Sequence, residues 1–125
     1  MIDRKPRVIP ASVRALIVED ERLIALTLED CLRGIGITNI EMAHSLEGGL
    51  RAAWSRRFDI AILDVNLGDG RSDDIADILH KHGTPFLFST GYGRAGVSSR
   101  FSAYPVVTKP CALSEICTVV ADLLD

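Results

Sequence analysis
The chain is expected to fold as an α/β domain in which five strand–helix units, (βα)5, wind into a doubly wound parallel sheet of five strands. Two observations predict it. Three short, unbroken apolar runs, ALIV at 15–18, IAIL at 60–63 and FLF at 86–88, suit parallel strands covered on both faces. Amphipathic stretches with short connections alternate with them, the pattern that lays helices on both sides of one sheet. At 125 residues the chain has the length of one domain, commonly about 100–150 residues. That is enough to bury a core without covalent staples.

The elements follow in order. The start, MIDRKPRVIPASVR, holds several charges and two prolines, so residues 1–12 read as a flexible tail and 13–125 as the folded domain. Residues 21–35 set Leu23, Ile24, Leu28, Cys31, Leu32 and Ile35 on one broad face at helical spacing. Gly34 and Gly36 end that helix. IEMA (40–43) mixes polar and apolar groups, as a strand with an exposed edge does. SLEGGLRAAWSRRF opens on a Ser cap with Glu47 close behind, although Gly48 and Gly49 weaken the helix. SDDIADILHKH places acids in its first turn and His80, Lys81 and His82 at its end, both favourable to the helix dipole. VVT (106–108) is the second edge strand, and 112–124 repeats the amphipathic period. The fourth unit is different. GYGRAGVSSRFSAYP (91–105) has three glycines, three serines and poor helical periodicity, which predicts a loop or a short, irregular fourth helix.

Composition narrows the function. A net charge of −3 offers no basic face for nucleic acid. No apolar run approaches the ~20 residues of a membrane helix. The start lacks an apolar signal-peptide core, so a cytoplasmic location is the default. Cys31, Cys111 and Cys117 form no CxxC pair and leave an odd count, which argues against a disulfide framework. Buried thiols are the expectation.

In an open parallel sheet, ligands bind beyond the carboxyl ends of the strands. Those ends carry Glu19, Asp20 and Glu21, then Asp64, then Ser89 and Thr90, then Lys109. Carboxylates converging from two strands would repel and raise one another's pKa. A divalent cation removes that conflict, and Mg²⁺ takes one or two carboxylates with waters and a phosphate oxygen. A carboxylate such as Asp64 can accept a phosphoryl group as an acyl phosphate. Lys109 would neutralise phosphoryl oxygens, the Thr90 hydroxyl would hydrogen-bond to them, and Gly68 and Gly70 would leave room at the mouth. Each feature alone suits a turn or a surface residue. Their fall at one end of one sheet carries the weight.

The segments LIVEDE, ILDVNLGDG, FSTG and TKP resemble, in order and spacing, the signatures of response-regulator receiver domains. The resemblance runs from about Ala15 to the end of the chain. It implies a flavodoxin-like fold with strand order 2-1-3-4-5. It implies that Asp64 is the phosphoacceptor, Asp20 a direct Mg²⁺ ligand, Glu19 a ligand acting through water, and Asn66 a backbone-carbonyl ligand. Thr90 resembles the switch hydroxyl and Lys109 the family's lysine, with Lys109–Pro110 expected to be cis. PFLFSTGYG (85–93) is similar to the PFxFATGY stretch of the FAT GUY receivers, with Ser89 in place of their usual alanine. That subfamily implies a stand-alone, stress-response regulator with an irregular fourth helix and no aromatic switch residue. Val106 stands at that position here, loop packing is the favoured reading of Tyr92 and Tyr104, and bulky Tyr92, two residues after Thr90, is the candidate to hinder a hydrolytic water.

The resemblance also implies a two-component phosphorelay. The donor would be a sensor histidine kinase, of the HWE/HisKA2 type, or a phosphotransfer protein. The message would leave by binding a downstream protein or by onward phosphotransfer. Docking is expected at the start of the first helix (Arg22, Leu23, Leu26) and the loop after Lys109, and readout through an ordering of residues 91–104. Such a protein is no enzyme with a separate substrate, though it catalyses its own phosphorylation and dephosphorylation. Three rival readings fit these residues less well. A small aspartate-nucleophile phosphatase wants a second acid where Asn66 stands. A degenerate receiver serving as a phosphorylation-independent binding module would lack the phosphoacceptor or the lysine, and this chain has both. A flavodoxin-like cofactor binder would need a phosphate cradle where EDERL is acidic.

Overall fold
All five expected strands, the three apolar runs and the two mixed edges, form one parallel sheet in a computed structural model, which describes residues 9–109 and 113–125. The strands are β1 (Arg14–Val18), β2 (Asn39–Ala43), β3 (Ile60–Asp64), β6 (Phe86–Thr90) and β7 (Val106–Thr108), and the sheet order is β2-β1-β3-β6-β7. Between β3 and β6 lies a separate two-residue ribbon, β4 (Asn66–Leu67) paired antiparallel with β5 (Gly70–Arg71). Leaving that ribbon aside, the order is 2-1-3-4-5, the doubly wound arrangement expected. The helices are α1 (Arg22–Gly34), α2 (Leu46–Ser55), α3 (Asp73–Lys81) and α4 (Leu113–Leu123).

Burial follows the sequence pattern. Every residue of β3 and β6 is buried, whereas β2 and β7 at the edges are mixed. Side chains alternate across the sheet, so its two faces build separate cores. Leu16, Val18, Ala61 and Leu63 pack with Ala52 and Ala53 of α2 and Ile75, Ala76 and Leu79 of α3. Ala15, Ile17, Ile60 and Ile62 pack with Ala25, Leu28 and Leu32 of α1 and Ile116 and Val120 of α4. Ser45 caps α2, accepting a 3.0 Å hydrogen bond from the Gly48 amide. Asp69 adds a second cap, accepting from the Leu46 amide at 2.7 Å and the Glu47 amide at 3.3 Å.

The irregular fourth unit is two 3-10 turns, Gly93–Gly96 and Ser99–Phe101. Phe101 anchors it in the core against Phe86 and Phe88. Tyr104 stacks on Phe86 with 3.9 Å between ring centroids, and its hydroxyl meets His80 Nδ1 at 2.5 Å.

Two expectations are corrected. Cys31 and Cys117 are not separate thiols: they are joined as a disulfide between α1 and α4, with Cα atoms 6.3 Å apart and a sequence separation of 86. Two helices far apart in the chain pack side by side on one sheet face, which no local spacing reveals. Tyr92 is exposed rather than packed in its loop. Gly70 is required by backbone geometry and close packing, beyond leaving room at the mouth. Its φ of +151° lies where side chains are rarely found, and a Cβ there would stand 2.8 Å from Leu46 Cδ2. Cys111 and the Lys109–Pro110 bond lie outside the described residues. So does the tail up to residue 8, while Val13 closes a turn onto the Pro10 carbonyl and Ile9 packs against the second core.

Candidate functional site
The carboxyl ends of β1, β3, β6 and β7 place the expected residues on one rim. Neighbouring strands are in register there, with Val18 beside Leu63, Asp64 beside Ser89, and Thr90 beside Thr108. The Lys109 amide donates to the Thr90 carbonyl at 2.8 Å, which continues the ladder one step past β7. Each functional group therefore leaves a rigid strand end rather than a free loop.

Lys109 is the hub. Its Nζ lies 2.7 Å from Glu19 Oε1 and 3.5 Å from Asp64 Oδ2. Glu19 and Asp64 are both buried, whereas Asp20 is exposed. Oxygens of Glu19, Asp20 and Asp64 lie within 4.8 Å of one another. A second bond fixes Glu19, whose Oε2 accepts from the Glu21 amide at 3.2 Å. Glu21 is thus a scaffold for Glu19 and the N-cap of α1, not a fourth member of the cluster. His44, at the end of β2, braces the backbone beside it with Nδ1 3.0 Å from the Glu19 carbonyl.

The electrostatics follow from the count of charges. Burial, then the neighbouring Glu19 charge, push the Asp64 carboxyl from its ordinary 3.8 up to about 7, against the opposing pull of Lys109. Burial alone would lower the Lys109 pKa. Its hydrogen bond to Glu19 and the charges of Asp64 and Glu19 outweigh that and hold the ammonium above its usual range. One ammonium among three carboxylates leaves an excess of negative charge. An all-oxygen donor set with that excess fits a hard divalent cation.

Thr90 is buried, and its Oγ1 accepts from the Tyr92 amide at 3.1 Å, which leaves the hydroxyl proton free to donate. Asn66 is exposed on the ribbon two residues past Asp64. Gly68 sits beside the site as expected, its Cβ direction 3.9 Å from Asp20 Oδ2.

Sequence reasoning missed two features. Lys109 is expected from sequence to serve phosphoryl oxygens, and the pattern does not show that Glu19 is its nearest partner, closer than Asp64. Sequence reasoning also passed over Arg71, which bridges to Asp73 and to the Gly96 carbonyl. A lone cation directly after the DG turn of an acidic mouth was the available clue.

The sequence profile of the response regulator receiver domain matches residues 15–121. The chain is 29% identical over 130 residues to the phyllosphere-induced regulator PhyR of Methylorubrum extorquens, covering 99% of this chain and 49% of that protein. It is 31% identical over 108 residues to the sensory transduction protein LytR of Staphylococcus haemolyticus, covering 83% of this chain and 42% of that protein. The chain thus spans about half the length of these curated relatives or less. Among solved structures it resembles SdrG of Sphingomonas melonis Fr1 at a TM-score of 0.79 with 38% identity, covering 94% of this chain and 100% of that one.

Proposed function
The chain belongs to the response regulator receiver domain family, and on that premise we propose that it accepts a phosphoryl group on Asp64 within a two-component relay. The observation that carries the reading is the convergence of Asp64, Glu19 and Asp20 around the Lys109 ammonium at the rim where Thr90 also ends its strand.

Each residue has a part in the transfer. Asp64 supplies the attacking oxygen. With a phosphohistidine donor protonated on its other ring nitrogen, the P–N bond breaks as the P–O bond to the Asp64 carboxylate forms, its electron pair stays on the ring nitrogen, and neutral imidazole leaves. Such transition states are loose, so the protein mainly positions groups and neutralises charge. Lys109 is tethered by Glu19 within reach of the Asp64 oxygens, where its charge offsets that of an incoming phosphoryl group. The Thr90 hydroxyl donates to a phosphoryl oxygen while the Tyr92 amide holds its oxygen still. Glu19, Asp20, Asp64 and the Asn66 carbonyl are the groups that would hold Mg²⁺. When bound, that ion screens the carboxylates and draws charge from the phosphoryl oxygens.

The irregular segment, Ser89 and the exposed Tyr92 suit a receiver of the FAT GUY type, signalling in stress responses in the cytoplasm. Its donor would be a sensor histidine kinase of the HWE/HisKA2 type or a phosphotransfer protein. Leu23 and Leu26 stand exposed on α1, close beyond the acidic strand end, and offer a docking face for that donor. The signal would leave through residues 91–104 to a downstream protein, or by passing the phosphoryl group on.

The test is direct. Incubated with a small-molecule phosphodonor and Mg²⁺, the wild-type chain should gain a labile phosphoryl adduct by intact mass, and Asp64→Asn should gain none. Absence of an adduct on the wild type would overturn the reading in favour of a phosphorylation-independent binding module.

A further inference from the structure
We propose that Arg71 is a positioning residue for phosphoryl transfer, clamping the loop that carries Asn66 to the backbone that packs against the Thr90 hydroxyl. The inference rests on the receiver reading of Asp64 and Thr90 and assigns that site a residue outside the acidic cluster, the hydroxyl and the lysine.

Arg71 pairs with Asn66 across the ribbon, so its backbone is fixed relative to that residue. Its side chain then leaves the ribbon and crosses to the fourth unit. Nη2 donates to the Gly96 carbonyl at 3.0 Å and Nε to Asp73 Oδ1 at 3.1 Å. A planar guanidinium can serve two acceptors in different directions at once, and a lysine cannot hold that geometry. Asp73 also takes a hydrogen bond from Ser98 Oγ, so the same carboxylate orients the guanidinium and holds the chain beyond Gly96.

Gly96 is where the clamp meets the chemistry. A Cβ there would stand 2.9 Å from Tyr92 Cβ and 3.4 Å from Thr90 Oγ1, so the backbone at this position lies directly against the hydroxyl. The turn around it has no buried side chain of its own. Val97, directly after it, packs against the first core, and Arg71 adds a hydrogen bond that reaches across from the other loop and fixes the turn beside Thr90. Asn66, Arg71, Tyr92, Ala95 and Gly96 line a single open cleft of about 600 Å³ beside the strand ends. The clamp sets the width of that cleft and, through Gly96, the freedom of Thr90.

The experiment is a double-mutant cycle on the full chain, reading the rate of Asp64 phosphorylation by a small-molecule donor with Mg²⁺. Arg71→Ala should slow adduct formation several-fold, and Thr90→Ala should slow it too. In the Thr90→Ala background, Arg71→Ala should have no further effect, because the clamp acts through that hydroxyl. Arg71→Lys, which keeps the charge without the fork, should be slowed like Arg71→Ala. The β4–β5 pairing is made by backbone, so the Arg71 variants should keep the wild-type thermal midpoint while Gly96 and Val97 lose amide protection. Additive effects in the cycle, or a full rate in Arg71→Lys, would overturn the proposal while leaving the receiver reading intact. No adduct on the wild type would overturn both.

Discussion

Asp64 carries an energetic penalty in the metal-free fold, and the penalty has a measurable sign. Its pKa rises from 3.8 to about 7 because burial and Glu19 disfavour the charged form more than Lys109 favours it. Between those values the folded state binds more protons than the unfolded one. Stability contributed by the protonated carboxyl is therefore fully present below about pH 4 and is lost as pH rises toward 7. Asp64→Asn removes the penalty. In chelator it should stabilise the protein by about 2–4 kcal/mol above pH 7, at 1.36 kcal/mol per pKa unit, with the gain vanishing near pH 4. Mg²⁺ should stabilise the wild type more than Asp64→Asn, since a ligand stabilises the state that binds it. Parallel pH–stability curves for the two proteins, from denaturant titration, would refute this. The site residues themselves were legible, because a polar group ending an apolar run needs a reason to be there. Which carboxylate the lysine prefers was not legible, because that depends on the reach of side chains from strands 90 residues apart.

At the scale of elements, two glycines in helices show how context overrides propensity. Gly49 in α2 faces the sheet, and a Cβ there would run into Ile75 Cδ1 and stand 3.1 Å from Val18 Cγ1. Gly49→Ala should destabilise by about 1–3 kcal/mol through overpacking, despite the better helix propensity of alanine. Gly34, at the end of α1, has nothing within 4 Å and no positive φ. Gly34→Ala should stabilise by about 0.5–1 kcal/mol. Thermal or denaturant unfolding of the pair decides it, and effects of the same sign would contradict the packing argument. The sequence showed Gly48 and Gly49 only as weak points in a helix. Contact with α3 explains why one of them is needed there. Long periodic elements were readable from side-chain pattern, and the broken fourth unit was readable from the lack of one. The β4–β5 ribbon was not, since two-residue strands are too short to show a period. The Asp69 cap on α2 was hidden for a related reason, as it comes from a turn 23 residues away.

For the whole molecule, the sheet works as a partition. One core holds α2, α3 and Phe101 of the irregular unit, and the other holds α1 and α4 with their Cys31–Cys117 link. A signal that leaves through residues 91–104 thus passes over the first core and need not disturb the second. Amide exchange with a phosphoryl mimic and Mg²⁺ should slow at 91–104 while α1 beyond its first turn and α4 stay unchanged. Unchanged exchange at 91–104 would remove that segment as the readout. The partition was legible from alternating residues in β1 and β3, whereas the covalent link within one half was not. Glu19, Asp20, Asp64, Thr90 and Lys109 all stand at one pole, where the strands end. At the opposite pole, Arg57 lies exposed in the connection that feeds β3. The five residues of β3, Ile60 to Asp64, lie between that connection and the carboxylate proposed as the phosphoacceptor, a span of about 16 Å at ~3.3 Å per residue. A cysteine introduced at position 57 to carry a dye, a tether or a solid support would leave the acidic rim turned toward solution.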